Sequence, residues 1–271
     1  MSRPPLTFAP HHSTLIAPYM PPSPSPSSHP RKPHTTLTFA TSLDSNLALS
    51  PGTQTPLSGP LSKALTHYLR SRHTAILIGV GTAIADDPSL NCRIAGVALE
   101  HQPRPVVLDP HGRWPISATS SVVQLAREGQ GRAPWIITCR ELEAEKREVV
   151  ESVGGQVFVV SPPPPPKFPL ATPISWPHIL ALLSTHGITS LMIEGGGTVI
   201  NTLLHPNNMA LVDSVIVTIA PVWLGRGGVQ VCPEARADEH GAKVPVSRLR
   251  DVQWVPLGED VVLCGRPAGR G

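Results

Sequence analysis

The sequence is poor in several features that identify common classes of protein. Aromatic residues make up 4% of its 271 residues, and no block of Lys and Arg with interleaved aromatic residues is present, which argues against a nucleic-acid partner. The net charge of +3 is small for a chain of this length. No apolar run reaches the length of about 20 residues that a membrane-spanning helix requires, so no membrane partner is expected. A small anionic ligand remains a candidate partner.

Cysteine is also scarce, and its four copies are scattered. Cys92, Cys139, Cys232 and Cys264 form no C-x-x-C pair and lack the spacing of zinc ligands. We therefore expect reduced, mostly buried thiols and no bound metal. The N-terminus has no continuous apolar signal-peptide core, which predicts a cytoplasmic protein.

Residues 1–34 are crowded with Pro, Ser and His, a composition that predicts a disordered tail. Mitochondrial targeting by this tail stays open, because it carries basic residues and no acidic one, although its prolines oppose an amphipathic helix. Apolar residues make up 40% of the chain, enough for one folded domain, which we place at residues 35–266. An exposed proline-rich insertion is expected near 161–169, and residues 267–271 form a second tail.

Strand patterns and helix patterns alternate along the domain. Short apolar runs that predict buried strands include AILIGV, PVVLD, WIITC, QVFVV and LMIE, and most of them are followed by a stretch with helical periodicity. Near the end, LRDVQWVPL and DVVLCGR flank a Gly258-Glu259 turn, the pattern of an antiparallel hairpin. This order predicts an α/β fold with a mainly parallel sheet and antiparallel strands at one edge.

The stretch IEGGGTVINTLL is the first candidate for a ligand site, because a buried strand runs into three glycines just before a helix. Glycines allow close approach of the backbone, and a helix N-terminus favours a phosphate. The stretch is neither a Walker A motif nor a G-x-G-x-x-G fingerprint, since Ile200 replaces the third glycine. A tight turn between strand and helix is an equally good interpretation of the spacing. Glu194 either accepts hydrogen bonds from the amino groups of a heterocycle or interacts favourably with the dipole at the N-terminus of the following helix.

The stretch ILIGVGTAIADDPSLNCR has the same layout, a strand followed by glycine and then by polar residues. Asp86 and Asp87 precede a proline, and such a pair is commonly a turn in which the carboxylates cap backbone amides. Thr82, Asp86 and Arg93 together make a ligand site the stronger interpretation. The planar guanidinium of arginine is well suited to phosphate.

Five segments of the chain together resemble the reductase family of riboflavin biosynthesis, and more narrowly its stand-alone fungal members. The combination of G-x-G-T-x-x-x-D-D-P-x-L-x-x-R with E-G-G is specific, and the similarity runs in order from about residue 35 to 265. The segments are TSLD (41–44), LSGPLSKALTHYLR (57–70), ILIGVGTAIADDPSLNCR (76–93), LMIEGGGTVINTLL (191–204) and VDSVIVTIAPVWLG (212–225).

This resemblance implies a fold similar to dihydrofolate reductase, a homodimer and NADPH as the hydride donor. By motif position, the NADPH-binding residues would be Thr82, Asp86, Gly195, Gly196, Gly197, Thr198 and Val199. The substrate would contact Arg70, Leu90, Arg93 and Glu194.

The reaction implied by the resemblance reduces the ribosyl group of an aminopyrimidine phosphate to a ribityl group, by hydride delivery to C1′ of the sugar. We hypothesise that Asp44 assists proton delivery. The H-x-E and P-C-x-x-C zinc motifs of the deaminase fused to bacterial relatives are absent from the sequence, so the still-aminated pyrimidine is the expected substrate. Two alternatives stay open: a reductase of the same fold acting on a pterin or dihydrofolate-like heterocycle, and a non-catalytic nucleotide-binding homologue.

Overall fold

A computed structural model describes residues 5–23, 32–161 and 174–268 of the chain. The expected proline-rich insertion at 161–169 lies outside the described residues except for Ser161. Within the described ranges, no helix is long and apolar enough to cross a membrane.

Strands account for most of the regular structure, and many of them are rich in Val, Ile and Leu, as expected for strands covered on both faces. Their bounds in chain order are β1 His34–Thr41, β2 Asn46–Ala48, β3 Ala75–Gly79, β4 Arg104–Leu108, β5 Trp135–Thr138, β6 Gln156–Val159, β7 Ser190–Gly195, β8 Ser214–Ile219, β9 Val229–Gln230, β10 Arg236–Ala237, β11 Lys243–Val244, β12 Leu249–Leu257 and β13 Asp260–Pro267.

Helices connect the parallel strands, and several of them begin at proline, whose fixed φ suits the first helical turn. Their bounds are α1 Pro10–Ile16, α2 Pro60–Ser71, α3 Val80–Asp86, α4 Ser121–Arg127, α5 Ala144–Glu151, α6 Trp176–Thr185, α7 Gly197–Leu204 and α8 Pro206–Met209. The predicted strand AILIGV included Val80, whereas β3 ends at Gly79 and α3 begins at Val80 and contains Gly81 and Thr82.

Within the described ranges, the main sheet has nine strands in the order β12-β13-β8-β1-β7-β3-β4-β5-β6. Strand β1 pairs in parallel with β7 on one side and with β8 on the other, and β3 pairs in parallel with β7 and β4. The hairpin β12–β13 joins β8 in antiparallel pairing. The prediction of a mainly parallel sheet with an antiparallel hairpin at one edge is therefore confirmed.

Both faces of this sheet are covered, which gives three apolar clusters. Helices α6 and α7 pack on one face over Leu37, Leu77 and Ile137. On the other face, α3, α4 and α5 cover one half, while α1, α2 and the hairpin enclose Met192 and Ile216 in the other half. Because the helices lie against the faces, the ends of the parallel strands stay available for a ligand.

The prediction of a disordered tail over residues 1–34 is wrong for residues 5–23. Ile16, Tyr19 and Met20 are buried against α2 and the C-terminal hairpin, and the Tyr19 hydroxyl donates to the carbonyl oxygen of Asp251. Composition misled here because Pro10 and Pro18 lie in the first turn of helical segments, where the lack of an N–H is tolerated. Residues 24–31, in the densest part of the Pro/Ser tract, lie outside the described residues.

The cysteines are free, as predicted, although fewer of them are buried than expected. Cys92 and Cys264 are buried, Cys139 is half-buried and Cys232 is exposed. Burial raises the pKa of the Cys264 thiol to about 12, so this thiol stays protonated at neutral pH.

Candidate active site

Two strand-to-helix junctions lie side by side at the carboxyl end of the parallel strands. Strand β7 ends at Gly195 opposite Ile78 of its neighbour β3, and a helix follows each strand immediately. A Cβ atom placed on Gly196 would lie 2.8 Å from the Thr82 hydroxyl oxygen, which shows how closely α3 approaches the glycine turn. The two junctions that the sequence singled out are therefore adjacent, at the edge of the sheet where open α/β sheets bind ligands, and we call this edge the candidate crevice.

Glycine is required at this turn by space and by backbone conformation. Gly195 has a φ of 112°, and its added Cβ would lie 2.8 Å from the Ile200 side chain. A Cβ on Gly197 would lie 2.6 Å from a methyl carbon of Val229 in β9. The turn is thus enclosed by α3 on one side and by the β2–β9 ribbon on the other.

Helix α7 begins at this turn without a capping side chain. Its N-cap is Gly196, whose carbonyl oxygen accepts the Ile200 N–H at 3.0 Å, and within the described residues no side chain caps the helix. The amides of the first helical turn have no partner within the helix. An uncapped helix N-terminus of this kind suits a phosphate oxygen.

The two adjacent aspartates have different surroundings, which separates the two interpretations left open by the sequence. Asp87 accepts hydrogen bonds from the Ser121 amide at 3.1 Å and the Ser121 hydroxyl at 2.7 Å, so it anchors the start of α4. Asp86, at the end of α3, is half-buried, and burial raises the pKa of its carboxyl. Asp86 is therefore the member of the pair that suits a ligand-binding role.

An ion pair between Arg70 and Glu194 joins helix α2 to the end of β7. The guanidinium donates from Nε to Oε1 at 2.9 Å and from Nη2 to Oε2 at 2.8 Å, and its Nη1 donates to the Asn91 carbonyl at 3.1 Å. The two side chains are only 12% and 19% exposed. Such bidentate geometry fixes the orientation of the carboxylate at the crevice.

Arg93 lies against His67 of helix α2, the helix that also carries Arg70. Its main-chain N–H donates to His67 Nδ1 at 3.1 Å, and its guanidinium lies 3.1 Å from His67 Nε2. Burial and the nearby charges of Arg70 and Arg93 lower the pKa of His67 to about 3, so the imidazole is neutral. Leu90, three residues earlier, is buried with a φ of 51°.

A cavity of about 320 Å³ opens beside Arg93 rather than between the two junctions. It is lined by Pro5, Gln130 and residues of the 91–102 region, including Arg93 and Gln102. Asn91 also lines this cavity, and its carbonyl oxygen accepts the hydrogen bond from Arg70.

The surroundings of Asp44 argue against a role as proton donor. Its carboxylate accepts the Ser42 hydroxyl at 2.5 Å and the backbone amides of Leu224 and Gly225 at 3.1 and 2.7 Å. These bonds, led by the one from Ser42, lower the pKa of Asp44. The group stays ionised and ties the loop after β1 to the loop after β8.

Three residues that sequence reasoning missed support the candidate substrate side, namely His67, Asn91 and Gln102. His67 lies three residues before Arg70 on α2, so helical spacing places it on the same face. Asn91 accepts a hydrogen bond at its backbone carbonyl, and the Gln102 side chain bonds to the backbone of Cys92. No sequence pattern predicts either interaction. Among the described residues, no group of three His, Cys, Asp or Glu side chains is placed to hold a metal ion.

The sheet order and the paired junctions define an α/β protein with a candidate ligand site at the carboxyl ends of two neighbouring parallel strands. Comparison with known proteins makes the class specific. Residues 33–263 match the model of the RibD C-terminal domain. The chain belongs to this family.

Curated fungal relatives resemble the chain over most of its length. The 2,5-diamino-6-ribosylamino-4(3H)-pyrimidinone 5′-phosphate reductase of Debaryomyces hansenii is 39% identical, over 87% of this chain and 90% of its own. The protein of the same name from Eremothecium gossypii is 36% identical, over 94% and 95%. The chain is therefore an oxidoreductase related to riboflavin biosynthesis reductases.

Solved structures agree with this relationship. The riboflavin biosynthesis reductase Rib7 of Saccharomyces cerevisiae has 30% identity and a TM-score of 0.73, over 95% of this chain and 99% of its own. A deaminase/reductase of Thermotoga maritima has 23% identity and a TM-score of 0.64, which shows the fold alone. The predicted family and its dihydrofolate-reductase-like fold are confirmed.

Proposed function

We propose that the chain is an NADPH-dependent reductase that converts the ribosyl side chain of 2,5-diamino-6-ribosylamino-4(3H)-pyrimidinone 5′-phosphate to the ribityl form. The observation that carries this proposal is the contact between the glycine turn after β7 and Thr82 after β3. One shared crevice can hold a dinucleotide beside a sugar phosphate. The names of the fungal relatives give the substrate.

The residues of the glycine turn fit a dinucleotide pyrophosphate. A Cβ on Gly196 would fill the space next to Thr82, and the first turn of α7 offers amides without a side-chain cap. In the proposed complex Gly195, Gly196, Gly197, Thr198 and Val199 hold the phosphates, and Thr82 and Asp86 contact the rest of the cofactor. When bound, NADPH would supply a hydride to C1′ of the ring-opened imine form of the sugar; the C1′=N double bond becomes a single bond and its nitrogen takes up a proton from solvent.

The substrate side of the crevice is assigned to Arg70, Leu90, Arg93 and Glu194. Arg93 is proposed to bind the 5′-phosphate, because guanidinium and phosphate match in charge and geometry. Both Glu194 oxygens accept from Arg70, and each retains a second lone pair that can accept from an amino group of the pyrimidine. The protein's task is to hold the sugar against the cofactor and to exclude water.

The test is the loss of NADPH absorbance with three substrates offered separately: the aminated pyrimidine phosphate, its deaminated analogue and dihydrofolate. We expect turnover with the aminated compound, and slower turnover with NADH than with NADPH. Turnover with dihydrofolate alone would favour a reductase of another heterocycle. Binding of NADPH without turnover of any substrate would indicate a non-catalytic homologue.

Arg93→Ala gives the sharper test of the site assignment. A hydrogen bond to a charged group contributes about 1.5–3 kcal/mol, so the KM for the pyrimidine phosphate should rise roughly ten- to a hundredfold with little change for NADPH. Arg127→Ala, at the exposed end of α4, is the matched control and should leave both constants unchanged. Equal effects of Arg93→Ala on the two constants would contradict the assignment.

The proposal includes a homodimer, which the family resemblance implies. Strand β12 is an edge strand of the main sheet, and Trp254 is 57% exposed on it, close to the exposed Val252. An exposed apolar edge is a typical pairing surface. Sedimentation analysis should give twice the mass of one chain, and Trp254→Glu should lower that mass; a monomeric wild type would refute this part. Location in the cytoplasm stays a prediction.

A further inference from the structure

The segment that carries Arg93 has no regular secondary structure of its own. Residues 91–93 form neither helix nor strand, although Asn91 and Cys92 are buried. Buried backbone groups need hydrogen-bond partners, and here the partners come from outside the segment. The position of Arg93 therefore depends on these partners.

Gln102 provides the most specific of these attachments. Its Oε1 accepts the Cys92 N–H at 2.7 Å, and its Nε2 donates to the Cys92 carbonyl at 3.0 Å. The side chain is buried, and the whole residue is 6% exposed. Both ends of one carboxamide thus bind the main chain of a single residue, as a neighbouring strand would.

Two further elements hold the same segment from other sides. The Leu6 N–H donates to the Arg93 carbonyl at 2.8 Å, and the Ala95 N–H donates to the Leu6 carbonyl at 3.1 Å. The Asn91 carbonyl accepts from Arg70, the partner of Glu194. These attachments are independent of Gln102, so the segment should remain folded when the Gln102 bonds are removed.

We propose that Gln102 is a positioning residue that fixes Arg93 for the phosphate of the substrate. This inference rests on the proposed function and deepens it. Gln102 binds the residue that immediately precedes Arg93, so losing its two bonds lets the Arg93 main chain shift. A displacement of this kind lowers affinity for a charged group while leaving the distant glycine turn unchanged.

The decisive variant is Gln102→Met, which keeps the length of the side chain but can neither donate nor accept these bonds. We expect the KM for the pyrimidine phosphate to rise about tenfold, with kcat and the Kd for NADPH within about twofold of wild type. Hydrogen exchange of the Cys92 amide should accelerate at least about tenfold. Gln124→Met, on the exposed face of α4, is the matched control and should change none of these quantities.

A second variant covers the case in which the methionine disturbs folding. Gln102→Glu keeps an oxygen that can accept the Cys92 N–H but lacks the donor to the Cys92 carbonyl. We expect slow exchange of the Cys92 amide together with a raised KM. Gln130→Glu places the same charge in the same cavity without touching Cys92, and it should raise the KM less than Gln102→Glu does.

The Arg93→Ala background distinguishes positioning of Arg93 from a general structural role. There, Gln102→Met should raise the KM no further, because the group that it positions is gone. A multiplicative further increase would overturn the inference, and so would an unchanged KM in the single variant despite faster exchange of the Cys92 amide. Absence of turnover by the wild-type protein would instead overturn the proposed function, and this inference with it.

Discussion

Removing the guanidinium of Arg70 should destabilise the fold strongly, because it leaves the Glu194 carboxylate largely buried without its two nearest donors. We expect Arg70→Met to lower the free energy of unfolding by about 3–5 kcal/mol, the range for breaking a buried ion pair by deleting one partner. The side chains are 12% and 19% exposed, so solvent screens this interaction only partly. An exposed pair would contribute at most about 1 kcal/mol.

The double variant Arg70→Met with Glu194→Gln isolates the pair from the other roles of each residue. With the charge at Glu194 removed, the arginine deletion should cost less than it does alone. The interaction energy from the double-mutant cycle, which compares the wild type, the two single variants and the double variant, should reach about 1–3 kcal/mol. A charge-independent loss of packing would give no such coupling.

Urea unfolding, followed by tryptophan fluorescence at pH 7, measures these free energies, and buried Trp176 and Trp114 provide the signal. Arg127→Met removes an arginine from the exposed end of α4 and should cost less than about 1 kcal/mol. Additive effects of the two single changes, within about 0.5 kcal/mol, would refute the view that Arg70 and Glu194 stabilise the fold as a pair.

Three further predictions follow from individual contacts. Gly196→Ala places a methyl group 2.8 Å from the Thr82 hydroxyl oxygen and should raise the Kd for NADPH at least about tenfold; titration calorimetry measures the Kd, and an unchanged value would contradict the placement of the cofactor at this turn. Ile16→Ala should lower the free energy of unfolding by about 2–5 kcal/mol in urea, since Ile16 is fully buried, and a change below about 0.5 kcal/mol would mean that α1 is detached in solution. Burial lowers the pKa of His73 to about 4, so below pH 6.5 the unfolded chain binds a proton before the folded protein does, and the free energy of unfolding falls by about 1.4 kcal/mol per pH unit. Between pH 6 and 4.5, His73→Gln should reduce the slope of the free energy of unfolding against pH by about 1.4 kcal/mol per pH unit. Equal slopes in the variant and the wild type would contradict the lowered pKa.

The parts of the fold around the candidate site that the sequence predicts correctly are those encoded by adjacent residues. A short apolar run ending in glycine marks the end of β3 and of β7, and the alternation of strands with helices places both ends at one edge of a parallel sheet. The contact of Gly196 with Thr82 also requires β7 to lie beside β3 in the sheet, and no local pattern encodes that order.

Other features depend on residues far apart in the chain and could not be predicted in this way. The pairing of Arg70 with Glu194 joins residues 124 positions apart, and the three donors to Asp44 include the amides of Leu224 and Gly225. The burial of Ile16 depends on the C-terminal hairpin. The proline content of residues 5–23 indicates only the local conformational preferences of this segment. It does not predict that the segment packs against α2 and the C-terminal hairpin.

Strand β1 lies between β7 and β8 in the middle of the sheet, and this placement constrains how the chain folds during synthesis. The earliest strand to leave the ribosome has no neighbours in the sheet until both of its partners have been made. The hydrogen bond from the Tyr19 hydroxyl to the Asp251 carbonyl forms later still, because Asp251 lies in the C-terminal hairpin. The sheet can therefore be completed only after the C-terminal hairpin has been made, and shorter nascent chains expose an unpaired central strand to chaperones and to one another.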